Sequence, residues 1–355
     1  MIDFWSGKRV LVTGHTGFKG SWLSLWLSEL GADLYGIALA PEDGALFEML
    51  DLPSRMAHSV LDIREARQLH ARVAEIDPDI VFHLAAQPLV IDGYLRPLET
   101  FDTNVMGTAN LLNALRDAGK RRAIVCVTTD KVYRNREWEF GYREDDTLGG
   151  HDPYSASKAA AELIAASYGG SYFYGDSPVR MATARAGNVI GGGDMSANRL
   201  VPDIARSLSR REALTLRHPT ATRPWQHVLD PLGGYIMLAE ALYADGERAL
   251  PTAFNFGPGR DAERTVAQLV QAAGSIWDMH LPVTDVESGF HETERLMLNT
   301  DRAAAVLGWT PRWGFEHSVG ETMRWYKARF ESEAFDAVAF TISQIESFRC
   351  EDHTA

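Results

Sequence analysis

Tyr154 and Lys158 are the residues whose types and spacing are best suited to chemistry. They lie four apart in Tyr154-Ser155-Ala156-Ser157-Lys158, ahead of the helix-favouring run Ala159-Ala160-Ala161-Glu162-Leu163. At that spacing two side chains share one helix face, one turn apart. An ammonium beside a phenol favours the phenolate. The expectation is therefore a lowered Tyr154 pKa and a tyrosine able to act as a base. Pro153 suits the turn into such a helix. Alone, a Tyr-x-x-x-Lys pair is more often a solvated helix face. It gains meaning only if other elements bring a cofactor and a substrate to it.

The first of those elements lies near the N-terminus. Residues 9–12 form an apolar strand that runs into Thr13-Gly14-His15-Thr16-Gly17-Phe18-Lys19-Gly20, and an amphipathic helix is expected over 21–30. Strand, glycine turn and helix together are the context of a dinucleotide fingerprint. The glycines let the backbone turn sharply and approach a pyrophosphate held at the helix N-terminus. Gly14, Thr16, Gly17, Phe18, Lys19 and Gly20 are thus candidate cofactor contacts. A phosphate-binding P-loop fails, because the order is Lys19-Gly20-Ser21 and not Gly-Lys-Ser. Lys19 reads equally as a phosphate contact or as a solvated side chain.

Strands are expected over 33–39, 60–63, 79–84 and 123–127, with helices between them. Such alternation argues for a parallel, doubly wound α/β sheet of Rossmann type. Neither a clear acid nor an Arg closes the second strand, which leaves a weak preference for NAD over NADP. Asp62, followed by Ile63, either accepts from an adenine amine or caps a helix. After the fourth strand, Leu84, Ala85 and Ala86 are small or slim enough for a cofactor to cross the sheet edge. Asn104 opens the next helix, expected to reach residue 118, and is a further cofactor candidate.

Composition narrows the setting. The 355 residues are 45% apolar and carry a formal charge of −13. That balance argues against a general nucleic-acid or anionic-membrane surface. Cys126 and Cys350 belong to no metal-like or CxxC cluster, no apolar run is long enough to span a membrane, and no signal-peptide pattern is present. The expectation is a cytoplasmic protein without a metal.

Five stretches carry a family resemblance: residues 13–23 (TGHTGFKGSWL), 128–133 (TTDKVY), 149–158 (GGHDPYSASK), 185–194 (RAGNVIGGGD) and 223–229 (RPWQHVL). Their pattern and order resemble the extended short-chain dehydrogenases that modify nucleotide sugars. More narrowly they are similar to the CDP-glucose 4,6-dehydratase family, over roughly residues 5 to 330. The resemblance implies tightly held NAD, CDP-glucose as substrate, and a homodimer or homotetramer. It implies that Thr129 bonds the sugar 4-oxygen, that Tyr154 and Lys158 serve hydride removal, and that Asp130 protonates the leaving 6-hydroxyl. Lys131 is either the C5 base or an electrostatic element. Gln87, Asn188, Arg199, Leu200, Arg217 and Arg223 are the implied substrate contacts. Arg forks suit a diphosphate. Two departures stand out. Ile91, Asp92 and Gly93 replace the Arg-x-Ser usual in the family, and Met195 replaces a Trp. The expected division is a cofactor domain of 1–187 plus 225–257, a substrate lobe of 188–224 plus 258–330, and a tail, 331–355, with no readable motif.

Overall fold

A computed structural model describes residues 2–117, 119–173, 175–196, 199–216, 218–244, 250–285 and 295–350. Its centre is a sheet of seven parallel strands. Six are β1 (Arg9–Thr13), β2 (Asp33–Ala38), β3 (Ala57–Val60), β4 (Ile80–His83), β5 (Arg122–Val127) and β6 (Val179–Arg185); the seventh is Ala253–Asn255. Their spatial order is 3-2-1-4-5-6-7, with every neighbour pair parallel. The chain reverses its winding between β1 and β4, which opens a crevice at the carboxyl edge.

Both faces of the sheet are covered, so the inner strands read as continuous apolar runs. Val10 and Val12 of β1 enter one core with Phe82 and Val125, while Leu11 enters the opposite core with Val81 and Ile124. This is the two-residue period of a strand. The edge strand β3 ends at Val60, before the expected 60–63. Its exposed Ala57, His58 and Val60 lack an apolar pattern, and Leu61 adds only one more bond, to the Ala38 carbonyl at 2.8 Å.

Two helices differ from expectation in instructive ways. The helix after β1 spans Phe18–Glu29, so the glycine turn runs directly into it, and it buries Trp22, Leu23, Leu25, Trp26 and Leu27. It is apolar all round rather than amphipathic, as befits a helix covered on every side. Each buried Leu contributes about 1.5–3 kcal/mol. Part of its cover comes from the tail, which is not featureless: Ala337–Cys350 forms a helix, and Phe348 meets Trp26 edge-on at 5.8 Å. The helix expected to open at Asn104 instead contains a π turn over Asp102–Met106 before Gly107–Ala114. Residue 118 lies outside the described residues.

Past β6 the chain builds a smaller lobe from three short strand pairs and the helices Leu200–Arg210, Val266–Ile276 and Phe315–Glu331. The helix Leu229–Ala244 returns to the sheet, and the larger core runs unbroken from Val10 to Trp325. Among the described residues no helix is long and apolar enough to cross a membrane.

Candidate active site

One cleft lies along the carboxyl edge of the sheet, between it and the smaller lobe. Gly14, Lys19, Thr129, Tyr154, Asn188 and Arg223 all line it.

At the cofactor end, Gly14 has φ +76°, and a β-carbon there would sit 2.7 Å from the Ala85 nitrogen. Only glycine allows β1 and the Leu84-Ala85-Ala86 segment to approach so closely. A β-carbon on Gly20 would overlap the Gly14 carbonyl oxygen. Gly17 caps the helix Phe18–Glu29 without any side-chain bond to the first turn. That leaves helix N–H donors open at the positive end of the helix. These features fit a pyrophosphate. Thr16 spends its hydroxyl on the Leu39 carbonyl at 3.2 Å, so it supports the turn.

The remaining cofactor candidates separate into two kinds. Asp62 is held by the Arg64 guanidinium at 2.9 and 2.6 Å, which lowers its carboxyl pKa. It also accepts the Arg64 backbone N–H at 2.9 Å, so it caps a turn while its edge faces the cleft. Ile63 is buried against Gly107. Asn104 does not line the cleft. It is fully buried, donates to Ser157 at 2.8 Å and to the Gln87 carbonyl at 3.1 Å, and accepts the Gln87 N–H at 2.8 Å. The π turn aims it inward, where it ties the loop after β4 to the Tyr154 helix. Gln87 lines the cleft, but its side chain bonds Thr100 at 2.7 Å and the Leu89 N–H at 2.5 Å.

The reactive end is built where β5 meets the helix Pro153–Ser171. Asp152 caps that helix by accepting the Ser155 N–H at 2.9 Å. Thr129 donates to Asp130 at 2.8 Å, and its hydroxyl stands near enough to the Tyr154 phenol to favour the phenolate. Asn188 donates to the other Asp130 oxygen at 3.3 Å. Gly187 is required beside them, because a β-carbon there would strike the Asp130 carboxylate. Lys131 lines the cleft half-buried, and its backbone N–H reaches Thr129 Oγ1 at 3.3 Å.

The expected lowering of the Tyr154 pKa is not found in this geometry. Burial pushes the phenol up to about 12; the neighbouring Thr129 hydroxyl and, more weakly, Arg199 oppose it. Lys158 donates to the Val127 carbonyl at 3.1 Å. Burial brings Lys158 down to about 8, with Glu162 opposing. Lys19 is also brought to about 8, by burial first and Arg199 next, with Asp130 pulling the other way. Lys19 is thus within electrostatic reach of Arg199, Asp130 and Lys158 as well as being part of the glycine turn.

On the smaller lobe, Arg199 pairs with Asp194 at 2.8 Å and precedes the helix that Leu200 begins. Arg199, Leu200 and Arg223 line the cleft, and Arg223 donates to the Thr222 carbonyl at 3.0 Å. Arg217 lies outside the described residues.

Three supporting groups escaped sequence reasoning. His83 bridges Thr13 (2.7 Å) and Thr108 (3.0 Å). Thr108 gives its own proton to the Asn104 carbonyl, so His83 Nε2 donates to Thr108 and Nδ1 accepts from Thr13. Burial keeps this imidazole neutral, with a pKa near 3. Glu162 and Arg185 form a bidentate pair at 2.9 and 2.8 Å. The only signal for Glu162 was its place one turn beyond Lys158. Arg185 stands within a stretch that carries the resemblance, but its role and that of His83 stay hidden in the sequence because their partners are distant in the chain.

A parallel doubly wound sheet, a glycine turn at its carboxyl edge and a Tyr–Lys pair facing that turn define a dinucleotide-binding enzyme of the extended short-chain dehydrogenase class. The chain belongs to the GDP-mannose 4,6 dehydratase family, whose model matches residues 11–322. It is 48% identical over 341 residues to the CDP-glucose 4,6-dehydratase of Salmonella typhimurium, covering 94% of this chain and 95% of that one. It is 25% identical over 336 residues to a dTDP-glucose 4,6-dehydratase of Xanthomonas campestris, covering 89% and 92%. Its fold is that of the dTDP-glucose 4,6-dehydratase of Bacillus anthracis solved in complex with NAD, with a TM-score of 0.76, 23% identity, and 91% and 97% of the two chains covered.

Proposed function

We propose that the protein is a CDP-glucose 4,6-dehydratase, converting CDP-glucose to CDP-4-keto-6-deoxyglucose for deoxysugar synthesis, with NAD as a recycled cofactor. The observation that carries this reading is the 48% identity to one such enzyme along nearly the whole chain. The convergence of Thr129, Asp130, Tyr154 and Lys158 on a cleft that begins at the glycine turn supports it.

The residues divide the work by position. NAD⁺, when bound, supplies a hydride acceptor for C4 and later the donor for C6. Tyr154 takes the 4-hydroxyl proton, and Thr129, beside the phenol, holds the 4-oxygen. Lys158 stabilises the phenolate by its charge. Oxidation at C4 acidifies the C5 proton. Lys131 is the candidate base in its neutral form, or else the cation that stabilises the enolate. Asp130 gives a proton to the 6-oxygen, which leaves as water. Asn188, Arg199, Arg217 and Arg223 take the nucleotide diphosphate, Leu200 is a further substrate contact, and Gln87 borders the sugar. We assign residues 1–187 and 225–257 to cofactor binding and 188–224 with 258–330 to substrate binding.

The test is the product mass with CDP-glucose and no added reductant. Loss of one water is expected; turnover of another nucleotide sugar with CDP-glucose untouched would overturn the substrate assignment.

The same reading includes a homodimer in the cytoplasm. Leu95, Leu98, Phe101 and Met106 are exposed on segments packed against the Tyr154 helix, and Leu163 is exposed on that helix itself. Exposed apolar side chains, where they form a contiguous patch, mark an association surface. Light scattering at micromolar concentration should give twice the chain mass, and a monomer would remove this proposal.

A further inference from the structure

Along the helix Pro153–Ser171, Tyr154, Lys158 and Glu162 follow at intervals of four, one stripe facing the ends of β5 and β6. The first two are assigned above. Glu162 is 3% exposed, and both its oxygens are fully engaged. Oε1 accepts from the Thr128 hydroxyl and from Arg185 Nε at 2.9 Å; Oε2 accepts from Thr183 at 2.7 Å and Arg185 Nη2 at 2.8 Å. Arg185 is fixed in turn by the Tyr133 hydroxyl at 2.7 Å and the Glu144 carbonyl at 2.9 Å. Tyr133 donates onward to Asn255 of the seventh strand at 2.7 Å.

The placement has two consequences. Thr128 immediately precedes Thr129 and Asp130, and Lys158 donates to the carbonyl of Val127, the residue before it. Helix and strand end are thus clamped together at two adjacent residues. Glu162 is also the anion one turn from the Lys158 ammonium. The other charged or titratable groups that interact with Lys158 are Cys126 on β5, His83 on β4 and Lys19 on the first helix turn. None of those three contributes a carboxylate.

We propose that Glu162, locked by Arg185, is a positioning residue. It holds Thr128, and through it Thr129 and Asp130, in register with Tyr154, and it keeps Lys158 charged. This rests on Tyr154 and Lys158 being the proton-transfer pair of the proposed reaction. A buried carboxylate with four donors is also a structural element, so the deciding readout is a pH profile.

Removing a nearby anion lowers the pKa of a cation, by about one to three units at close range. The pH–rate profile of Glu162→Gln should therefore move to lower pH by at least about one unit, because the proposed reaction needs Lys158 charged when the Tyr154 phenolate forms. A purely structural loss would lower the rate and the melting temperature and leave the profile in place. Glu162→Gln strands Arg185, and if that variant does not fold, Glu162→Gln with Arg185→Met leaves no unpaired buried charge. Arg185 bonds Glu162, Tyr133 and the Glu144 carbonyl rather than Lys158, so loss of the anion one turn away remains the larger change and an acid-ward displacement is still expected. A folded variant whose profile superimposes on that of wild type overturns the role of Glu162. A wild type without turnover overturns the reading of the reaction itself, and the two failures are distinct.

Discussion

The two ends of the cleft are finished differently. At the glycine turn the helix cap carries no side-chain bond, Gly17 offers bare backbone, and the nearest atom to an added β-carbon is 3.5 Å away. At the far end, Thr128, Asp130, Lys158, Glu162 and Arg185 are all buried and all bonded. A surface whose partners arrive with a ligand leaves its donors open. A surface that must hold a reacting geometry beforehand spends every polar group on the protein itself, since an unpaired buried group is costly. Asp130 stands between these regimes. It is 4% exposed and bonded by Thr129 and Asn188, yet it lines the cleft.

Breaking that intermediate position should give the largest effect. Asp130→Asn preserves size and leaves Tyr154, Lys158 and Thr129 in place, so oxidation at C4 should proceed. An amide is a far poorer acid than a carboxyl, and general acid catalysis contributes about 10²–10⁴-fold. Overall turnover should fall by that order, and bound NADH should accumulate in a single turnover, visible by its absorbance. A variant that forms no NADH would place Asp130 in the oxidation step, acting through Thr129. One that dehydrates at full rate would assign the acid to another residue.

The sequence made the open end more legible than the closed one, and the contrast explains why. Gly14, Gly17 and Gly20 act within one turn, and their spacing is itself the signal. The Tyr154–Lys158 pair is also local, and the strand–helix alternation led to the sheet. What stayed hidden depends on partners far apart in the chain. Arg185 reaches Glu162, Tyr133 and the Glu144 carbonyl. The Asn104 side chain turns inward because of a π turn that no periodicity announces. The burial that raises the Tyr154 pKa and the bond of Lys158 to the Val127 carbonyl depend on the surrounding fold, which spacing cannot fix. The tail helix Ala337–Cys350 carries no motif because its work is packing: Thr341 accepts from the Trp325 indole at 3.1 Å.

A smaller effect should separate the two ends by a single methyl group. Gly14 and Gly17 both belong to the turn, but only Gly14 is needed for the fold itself, by its positive φ and its contact with Ala85. Gly17 has an ordinary φ of −82°, and a β-carbon there would meet only the Gly14 carbonyl oxygen at 3.5 Å. Gly17→Ala should consequently fold with nearly the wild-type melting temperature. Its methyl would project toward the open helix N-terminus, where a pyrophosphate must approach the backbone. Crowding a well-fitted contact by one methyl costs about 1–3 kcal/mol, or roughly a tenfold to hundredfold loss of NAD affinity. Titration of NAD into the stripped enzyme reads that loss, and saturating NAD should restore most of the turnover, because the reacting groups are untouched. Unchanged affinity would mean that the pyrophosphate does not lie over Gly17. A collapsed melting temperature would mean that Gly17, like Gly14, serves the fold, and that the open end is more closely built than its unfilled donors suggest.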